Sequence, residues 1–176
     1  MLRLAYPYQD ELNKIYQSTV FQDKYKYYNL SNWWNYTIKL EDNSWNNIEM
    51  VSIKNKEILG YFNANISRCD NLVSSLGVSN FSTKDNIIFA KDFYKFIIDL
   101  FYKFNFRKIR FHVVIGNPIE KMYDKYIAKY GGRIIGISNN DALLQDGKYY
   151  NVKYYEIFQN DFKFYFKKKT KKEMPK

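Results

Sequence analysis

The apolar positions in the middle of the chain change from a two-residue repeat to a helical repeat, which limits the folds open to it. Over residues 48–53 and again over Glu57–Ser67, side chains alternate between two faces, as they do in β-strands. After a turn at Cys69, Leu72–Asn80 reads as a third strand, and residues 87–104 then carry a wide apolar helical face. These segments predict an antiparallel meander followed by a helix of several turns.

The flanking segments predict further elements of both types. A short strand at residues 1–6 is followed by a helical region that opens at Pro7, a residue suited to a first helical turn. The C-terminal part predicts a strand, a helix and two more strands, at residues 108–115, 119–130, 133–137 and 149–158. The order β, α, βββ, α, β, α, ββ indicates an α/β (α+β) architecture whose sheet is mixed and mainly antiparallel.

Cysteine and histidine are too scarce for the usual metal and disulfide arrangements. Cys69 is the single cysteine and His112 the single histidine, which excludes an intramolecular disulfide and argues against a conventional zinc site. No run reaches the ~18 apolar residues that a membrane-spanning helix needs, and no long apolar segment follows Met1 as in a signal peptide. We therefore expect a cytoplasmic protein with no metal and no membrane segment.

Positive charge is concentrated at the C-terminal end of a chain whose net charge is +10. We expect one domain over residues 1–160 and a Lys-rich tail over residues 161–176. One interpretation of this segment is a solvated, flexible tail. The other is electrostatic attachment to nucleic acid or to an acidic protein surface. Both stay open, although a lysine cluster cannot read a nucleotide sequence by itself.

Short motifs follow one another in a fixed order in the last third of the chain. A strand ending at Asn117 leads to a helix that contains Tyr123. Gly131-Gly132 ends that helix, and Asp146-Gly147 precedes the final strand. This series resembles the GNAT superfamily of N-acetyltransferases, and by element order the resemblance covers roughly residues 49–158. It implies a splayed sheet flanked by helices.

The resemblance also implies a site and a reaction. In the family, acetyl-CoA lies between the fourth and fifth strands, and here the fourth would run over residues 73–79. By resemblance, Tyr123 would protonate the departing thiolate, because a phenol is neutral near pH 7 and can lend a proton; the alternative is a core or boundary tyrosine. The implied activity is acetyl-CoA-dependent acetylation of a primary amine on a small molecule, peptide or protein. The implied cofactor-binding residues are Val73, Ser75, Gly77, Val78, Lys84 and Asn117.

The sequence departs from the family where the pyrophosphate of CoA would bind. The family has Arg or Gln, two residues, Gly, one residue, and Gly or Ala, whereas residues 85–90 place Asp85 first and Ile88 in the glycine position. Both changes oppose phosphate binding, because one adds negative charge and the other adds bulk. Lys84 could compensate in part as a point charge, and the helix N-terminus would remain available to a phosphate.

The general base is the second departure. The predicted fourth strand contains no carboxylate, and the nearest ones, Glu49, Glu57 and Asp70, are interpreted as surface or turn residues. His112 is more often a packed sheet histidine than a base in such a position. An alternative function is therefore a catalytically degenerate GNAT-fold binding or structural protein, encoded by a phage or mobile element.

Overall fold

A mixed seven-stranded sheet forms the centre of the computed structural model, which describes residues 1–19, 22–27, 38, 40, 45–82 and 86–173, the side chains of Lys24 and residues 167–173 excepted. Its strand order is β1-β2-β3-β4-β5-β7-β6. The strands are β1 (Leu2–Leu4), β2 (Asn47–Lys54), β3 (Glu57–Ser67), β4 (Leu72–Asn80), β5 (Lys108–Val114), β6 (Arg133–Leu143) and β7 (Tyr149–Phe158). The α-helices of the described residues are α1 (Gln9–Thr19), α2 (Ile87–Tyr102), α3 (Glu120–Tyr130) and α4 (Gln159–Glu173).

The sheet is antiparallel at every junction except one. The strands β1 to β4 form the predicted meander, and β5, β7 and β6 form a second antiparallel unit. The two units join where β4 runs parallel to β5, because the chain between these strands crosses over through α2. The predicted fold class, a mixed and mainly antiparallel sheet flanked by helices, is confirmed.

Helices cover both faces of the sheet. The larger core packs α2, α3 and α4 on one face, with Phe62 of β3 stacked against Phe89 and Phe96 of α2. Gly60 permits this contact, because a Cβ atom there would collide with the Phe89 ring and with the carbonyl of Ser79. The opposite face of β2 and β3 packs against α1 through a smaller cluster of apolar side chains.

The helix α4 begins before the Lys-rich segment and extends into it. Phe162 is fully buried, and its ring lies 4.8 Å from the ring of Phe101 in α2. The predicted division between residues 160 and 161 therefore falls inside a helix whose first turns belong to the core. In the part of the chain that the structure describes, no helix is both long and apolar enough to span a membrane.

Candidate active site

The sheet opens between β4 and β5, and a cavity of about 1750 Å³ passes through the opening. Within their described ranges the two strands pair only at Leu72 with Lys108 and at Val73 with Ile109. Beyond these pairs the strands diverge, and residues 75–80 of β4 line the cavity. The opening gives access to both faces of the sheet at one point.

The backbone of β4 alternates between its partner β3 and the cavity. Phe81 N–H donates to a carbonyl of β3 (2.9 Å), and no bulge interrupts the register before residue 75. In an antiparallel ladder this alternation turns the N–H and C=O groups of Leu76, Val78 and Asn80 away from β3. The hydroxyl of Tyr25 donates to the carbonyl of Asn80 (3.0 Å), as this direction requires. Polar backbone groups of β4 thus face the cavity.

The predicted cofactor-binding residues of β4 lie at or beside this opening. Ser75, Gly77 and Val78 line the cavity. Val73 is fully buried at the base of the opening, where it pairs with β5. Lys84 lies outside the described residues. The contacts of these residues with a ligand stay a prediction.

The predicted residues at the start of α3 also line the cavity. The side-chain oxygen of Asn117 accepts from the N–H of Ile119 (3.1 Å), so it fixes the turn into α3. Tyr123 is buried, with its ring edge-on to Phe111 and Tyr155 at centroid distances of 5.0 and 6.0 Å. This packing restricts the phenol to one region of the cavity wall. Its role as an acid stays a prediction.

Glu49 lies inside the site, so the expectation of a surface or turn carboxylate is wrong for this residue. It is 9% exposed and lines the cavity. Its Oε1 accepts from the hydroxyl of Tyr61 (2.6 Å) and from the amide of Asn63 (3.2 Å). The register places Glu49, Asn63 and Gly77 opposite one another on β2, β3 and β4. The carboxylate therefore belongs to a polar row that leads to the opening.

The other two candidate carboxylates lie outside this row. Asp70 is exposed in the turn after β3 and accepts from the hydroxyl of Ser67 (2.7 Å). Glu57 is exposed at the start of β3. Neither lines the cavity, as the interpretation of both as surface or turn carboxylates requires.

His112, on β5, also lines the cavity. Its ring lies 5.5 Å from the ring of Tyr154. Burial lowers the pKa of His112, and the negative charge of Asp141 opposes this only in part, so the imidazole is mainly neutral at pH 7. Tyr154 donates to Asp141 (2.5 Å), and this hydrogen bond, with burial, raises the pKa of Tyr154 to about 12.

The N-terminus of α2 is occupied by a side chain of the chain itself. Asn86 is the N-cap residue, and its Oδ1 accepts from the N–H groups of Ile88 (3.0 Å) and Phe89 (3.4 Å). The expectation that this helix end is open to a phosphate is therefore wrong for these two amides. Beside them, the side chain of Ile87 is 72% exposed and adds apolar bulk.

Charges of opposite sign lie in different parts of the cavity. The helices α2 and α3 contribute the exposed ammonium groups of Lys91, Lys125 and Lys129. The carboxylates that line the cavity in the described residues, Glu49 and Asp141, belong to the strands. One part thus favours an anionic ligand and the other a cationic one.

Sequence reasoning missed several side chains of the strand face. Tyr61 and Asn63 could have been found, because alternation along β3 places them on one face with a partner carboxylate on the next strand. Asp141 and Tyr154 could not, because β6 carries an irregular register between residues 138 and 142 that simple alternation does not foresee. Among the described residues, no group of three or more His, Cys, Asp or Glu side chains could hold a metal ion.

Comparison with known proteins gives matches in structure but not in sequence. No protein-family model matches the chain. No curated protein matches it at a significant level. Solved structures of acetyltransferases, by contrast, align over almost the full length of the chain.

Three of these structures illustrate the likeness. A chimera of spermidine N-acetyltransferase SpeG from Vibrio cholerae and hSSAT has a TM-score of 0.68 and 18% identity, covering 93% of this chain and 99% of that one. The Vibrio cholerae spermidine/spermine N-acetyltransferase SpeG with manganese ions has a TM-score of 0.66 and 18% identity, covering 93% and 95%. A T. thermophilus protein assigned as an acetyltransferase has a TM-score of 0.64 and 12% identity, covering 98% and 93%. The chain therefore has the GNAT acetyltransferase fold.

Proposed function

We propose that this chain is an N-acetyltransferase that moves the acetyl group of acetyl-CoA to a primary amine. The observation that carries the proposal is that Glu49 and Tyr123, from opposite faces of the sheet, line one cavity at the point where β4 and β5 diverge. Such a pair could serve as base and acid on two sides of a thioester. The GNAT fold supports the proposal, although a fold alone does not determine an activity.

The donor would enter through the opening between β4 and β5. Leu76 turns its backbone N–H and C=O groups toward it, and these could bond an amide of the pantetheine arm. Ser75, Gly77 and Asn117 line the same passage. The unbranched pantetheine chain needs such extended backbone contacts more than it needs charged side chains.

The chemical step would be direct transfer. The neutral amine attacks the thioester carbonyl carbon, the C–N bond forms and the C–S bond breaks. Glu49 would accept the proton lost by the amine, directly or through a water molecule. Tyr123 would give its proton to the departing sulfur and be reprotonated from solvent. The protons and the electron pairs balance without a metal or a redox partner.

The acceptor side favours a molecule that carries positive charge besides the reacting amine. Besides the carboxylates Glu49 and Asp141, the phenols of Tyr16, Tyr25 and Tyr61 line this part of the cavity. Carboxylates and aromatic faces both attract ammonium groups. Because SpeG is named as a spermidine N-acetyltransferase, a polyamine is the first acceptor to assay.

The test is a thiol-release assay with acetyl-CoA and a panel of amines. We expect Glu49→Gln and Tyr123→Phe each to lower kcat/KM by ~10²-fold or more, the usual contribution of a general base or acid. The control Glu57→Gln removes an exposed carboxylate outside the cavity and should leave the rate unchanged. Full activity of Glu49→Gln and Tyr123→Phe would contradict the assigned roles.

A GNAT-fold binding protein without catalysis is the second candidate. It is favoured by the capped N-terminus of α2 and by the lack of a glycine between Gly77 and Gly116. Calorimetry separates the two functions. Micromolar binding of acetyl-CoA that weakens in Asn117→Ala supports the acetyltransferase, whereas no binding at millimolar ligand supports the second candidate.

A further inference from the structure

The hydroxyl of Tyr126, one turn after Tyr123 in α3, is a buried polar group without a visible function. It finds no hydrogen-bond partner among the described residues. Buried hydroxyls in folded proteins are nearly always paired, and leaving one unpaired costs stability. Because Tyr126 also lines the cavity, the missing partner can be a ligand.

The surroundings of Tyr126 form a cleft between α2 and α3. Its ring lies 4.7 Å from the ring of Tyr130, and the hydroxyl of Tyr130 is 3.0 Å from that of Tyr94 in α2. Burial, and then the two neighbouring phenols, raise the pKa of Tyr126 well above its usual value. The hydroxyl is therefore protonated at neutral pH and can act as a donor.

Three ammonium groups belong to the two helices that form this cleft. Lys91 on α2 and Lys125 and Lys129 on α3 line the same cavity and are exposed. Lys91 and Lys125 have no ion pair with a carboxylate of the described residues. Phenolic O–H groups and ammonium groups are donors, so together they fit a ligand group that carries negative charge and many acceptor oxygens.

We infer that the phosphate end of the thioester donor binds in the cleft between α2 and α3, on Tyr126 and the ammonium groups of Lys91, Lys125 and Lys129, rather than at the N-terminus of α2. This inference rests on the proposed function for the identity of the donor. It accounts for a chain that lacks the glycines of a phosphate cradle and fills the helix N-terminus with Asn86. It also assigns a ligand to the cleft, which the chemistry at Glu49 and Tyr123 does not use.

The hydroxyl of Tyr126 is buried, so the ring must turn before the hydroxyl can reach a phosphate. The unpaired state favours this turn, because the hydroxyl gains its first hydrogen bond on binding. Binding of the donor and ordering of the cleft are therefore coupled. The same coupling would hold α2 and α3 together when the donor is present.

The test compares acetyl-CoA with acetyl-pantetheine, which has the same thioester and arm but no phosphate. Calorimetry or thermal shift on the full chain gives the dissociation constant of each. We expect Lys125→Gln, Lys129→Gln and Tyr126→Phe each to weaken acetyl-CoA binding about tenfold, the effect of one lost charge-assisted hydrogen bond. Binding of acetyl-pantetheine should stay unchanged in all of them.

Two controls protect the interpretation. Lys121→Gln removes an exposed lysine of α3 that does not line the cavity, and it should leave both affinities unchanged. Tyr126→Phe should keep or raise the melting temperature of the ligand-free chain, because it removes an unpaired buried hydroxyl. A purely structural role for this hydroxyl would lower the melting temperature instead.

The failures of the two proposals are distinguishable. If the cleft variants bind acetyl-CoA as tightly as the native chain, the inference is overturned and the acetyltransferase proposal stands. If Asn86→Ala lowers the acetyl-CoA affinity tenfold and the cleft variants leave it unchanged, the phosphate binds at the N-terminus of α2 and the inference is overturned. If the native chain binds neither thioester, the proposed function falls and the inference falls with it.

Discussion

Glu49 illustrates how the register of a sheet can turn an ordinary surface residue type into a buried one. On β2 it lies opposite Asn63, and Asn63 lies opposite Gly77. Because Gly77 has no side chain, nothing on β4 closes this row before the opening. Burial and the negative charge of Glu49 raise the pKa of Tyr61, so the phenol stays protonated and donates to the carboxylate. The hydrogen bonds from Tyr61 and Asn63 hold the carboxylate in place.

A prediction at the residue scale concerns Gly60. An added Cβ atom would collide with the ring of Phe89 and with the backbone carbonyl of Ser79. The carbonyl cannot move without disturbing the β3–β4 pairing, so Gly60→Ala should lower the free energy of unfolding by about 1–3 kcal/mol. Urea denaturation followed by circular dichroism measures this.

The matched control for that prediction is Gly136→Ala. Gly136 lies on β6, and no atom of the described residues lies within 4 Å of an added Cβ atom there. The urea midpoint of the Gly136→Ala variant should stay within experimental error of the native value. Equal destabilisation by the two substitutions would show that the contact between α2 and β3 is looser than described.

At the scale of elements, the divergence of β4 and β5 is the feature that makes a site. Parallel pairing stops after Val73, while the crossover through α2 returns the chain to β5 at the base of the opening. The apolar face of α2 anchors this arrangement through Phe93, Phe96 and Phe101. The site thus depends on one strand pair that ends early and one helix that packs tightly beside it.

The element-scale prediction concerns α4. Phe162 fills the core between α2 and α3, with its ring 4.8 Å from Phe101 and 5.1 Å from Tyr130. Phe162→Ala should cost about 3–5 kcal/mol of the free energy of unfolding, because it removes a large buried ring and leaves a cavity. Phe164→Ala, at a side chain that is 63% exposed, is the control and should cost under ~0.5 kcal/mol. A small effect of Phe162→Ala would mean that α4 is not part of the core.

At the scale of the whole molecule, the sequence predicted the architecture but only part of the site. Periodicity and the glycine turns predicted the element order, because the two-residue repeat of strands and the helical repeat can be recognised in a single sequence. Helix α4 was missed, because lysines dominate its composition, whereas its contacts with the core come from Phe162 and Phe166. Glu49 was misread, because burial of a carboxylate depends on its partners on neighbouring strands, which local pattern does not contain. The cap at Asn86 was also missed, although asparagine is a favoured N-cap residue.

The last prediction concerns the partners of the whole molecule. The chain carries a net charge of +10, with lysines concentrated over residues 167–176, and we propose that this end binds an acidic macromolecule. If the partner is nucleic acid, the logarithm of the association constant for a mixed-sequence oligonucleotide should fall linearly with the logarithm of the salt concentration. The slope should be about −0.7 to −0.9 for each phosphate contacted. Removal of residues 167–176 leaves Phe162 in place, so the core should remain folded. The slope should become shallower by the amount that several phosphate contacts contribute. Fluorescence anisotropy over a salt series measures both slopes. An affinity that does not change with salt, or an equal slope after truncation, would exclude these lysines as the binding surface and leave the charge as a determinant of solubility alone.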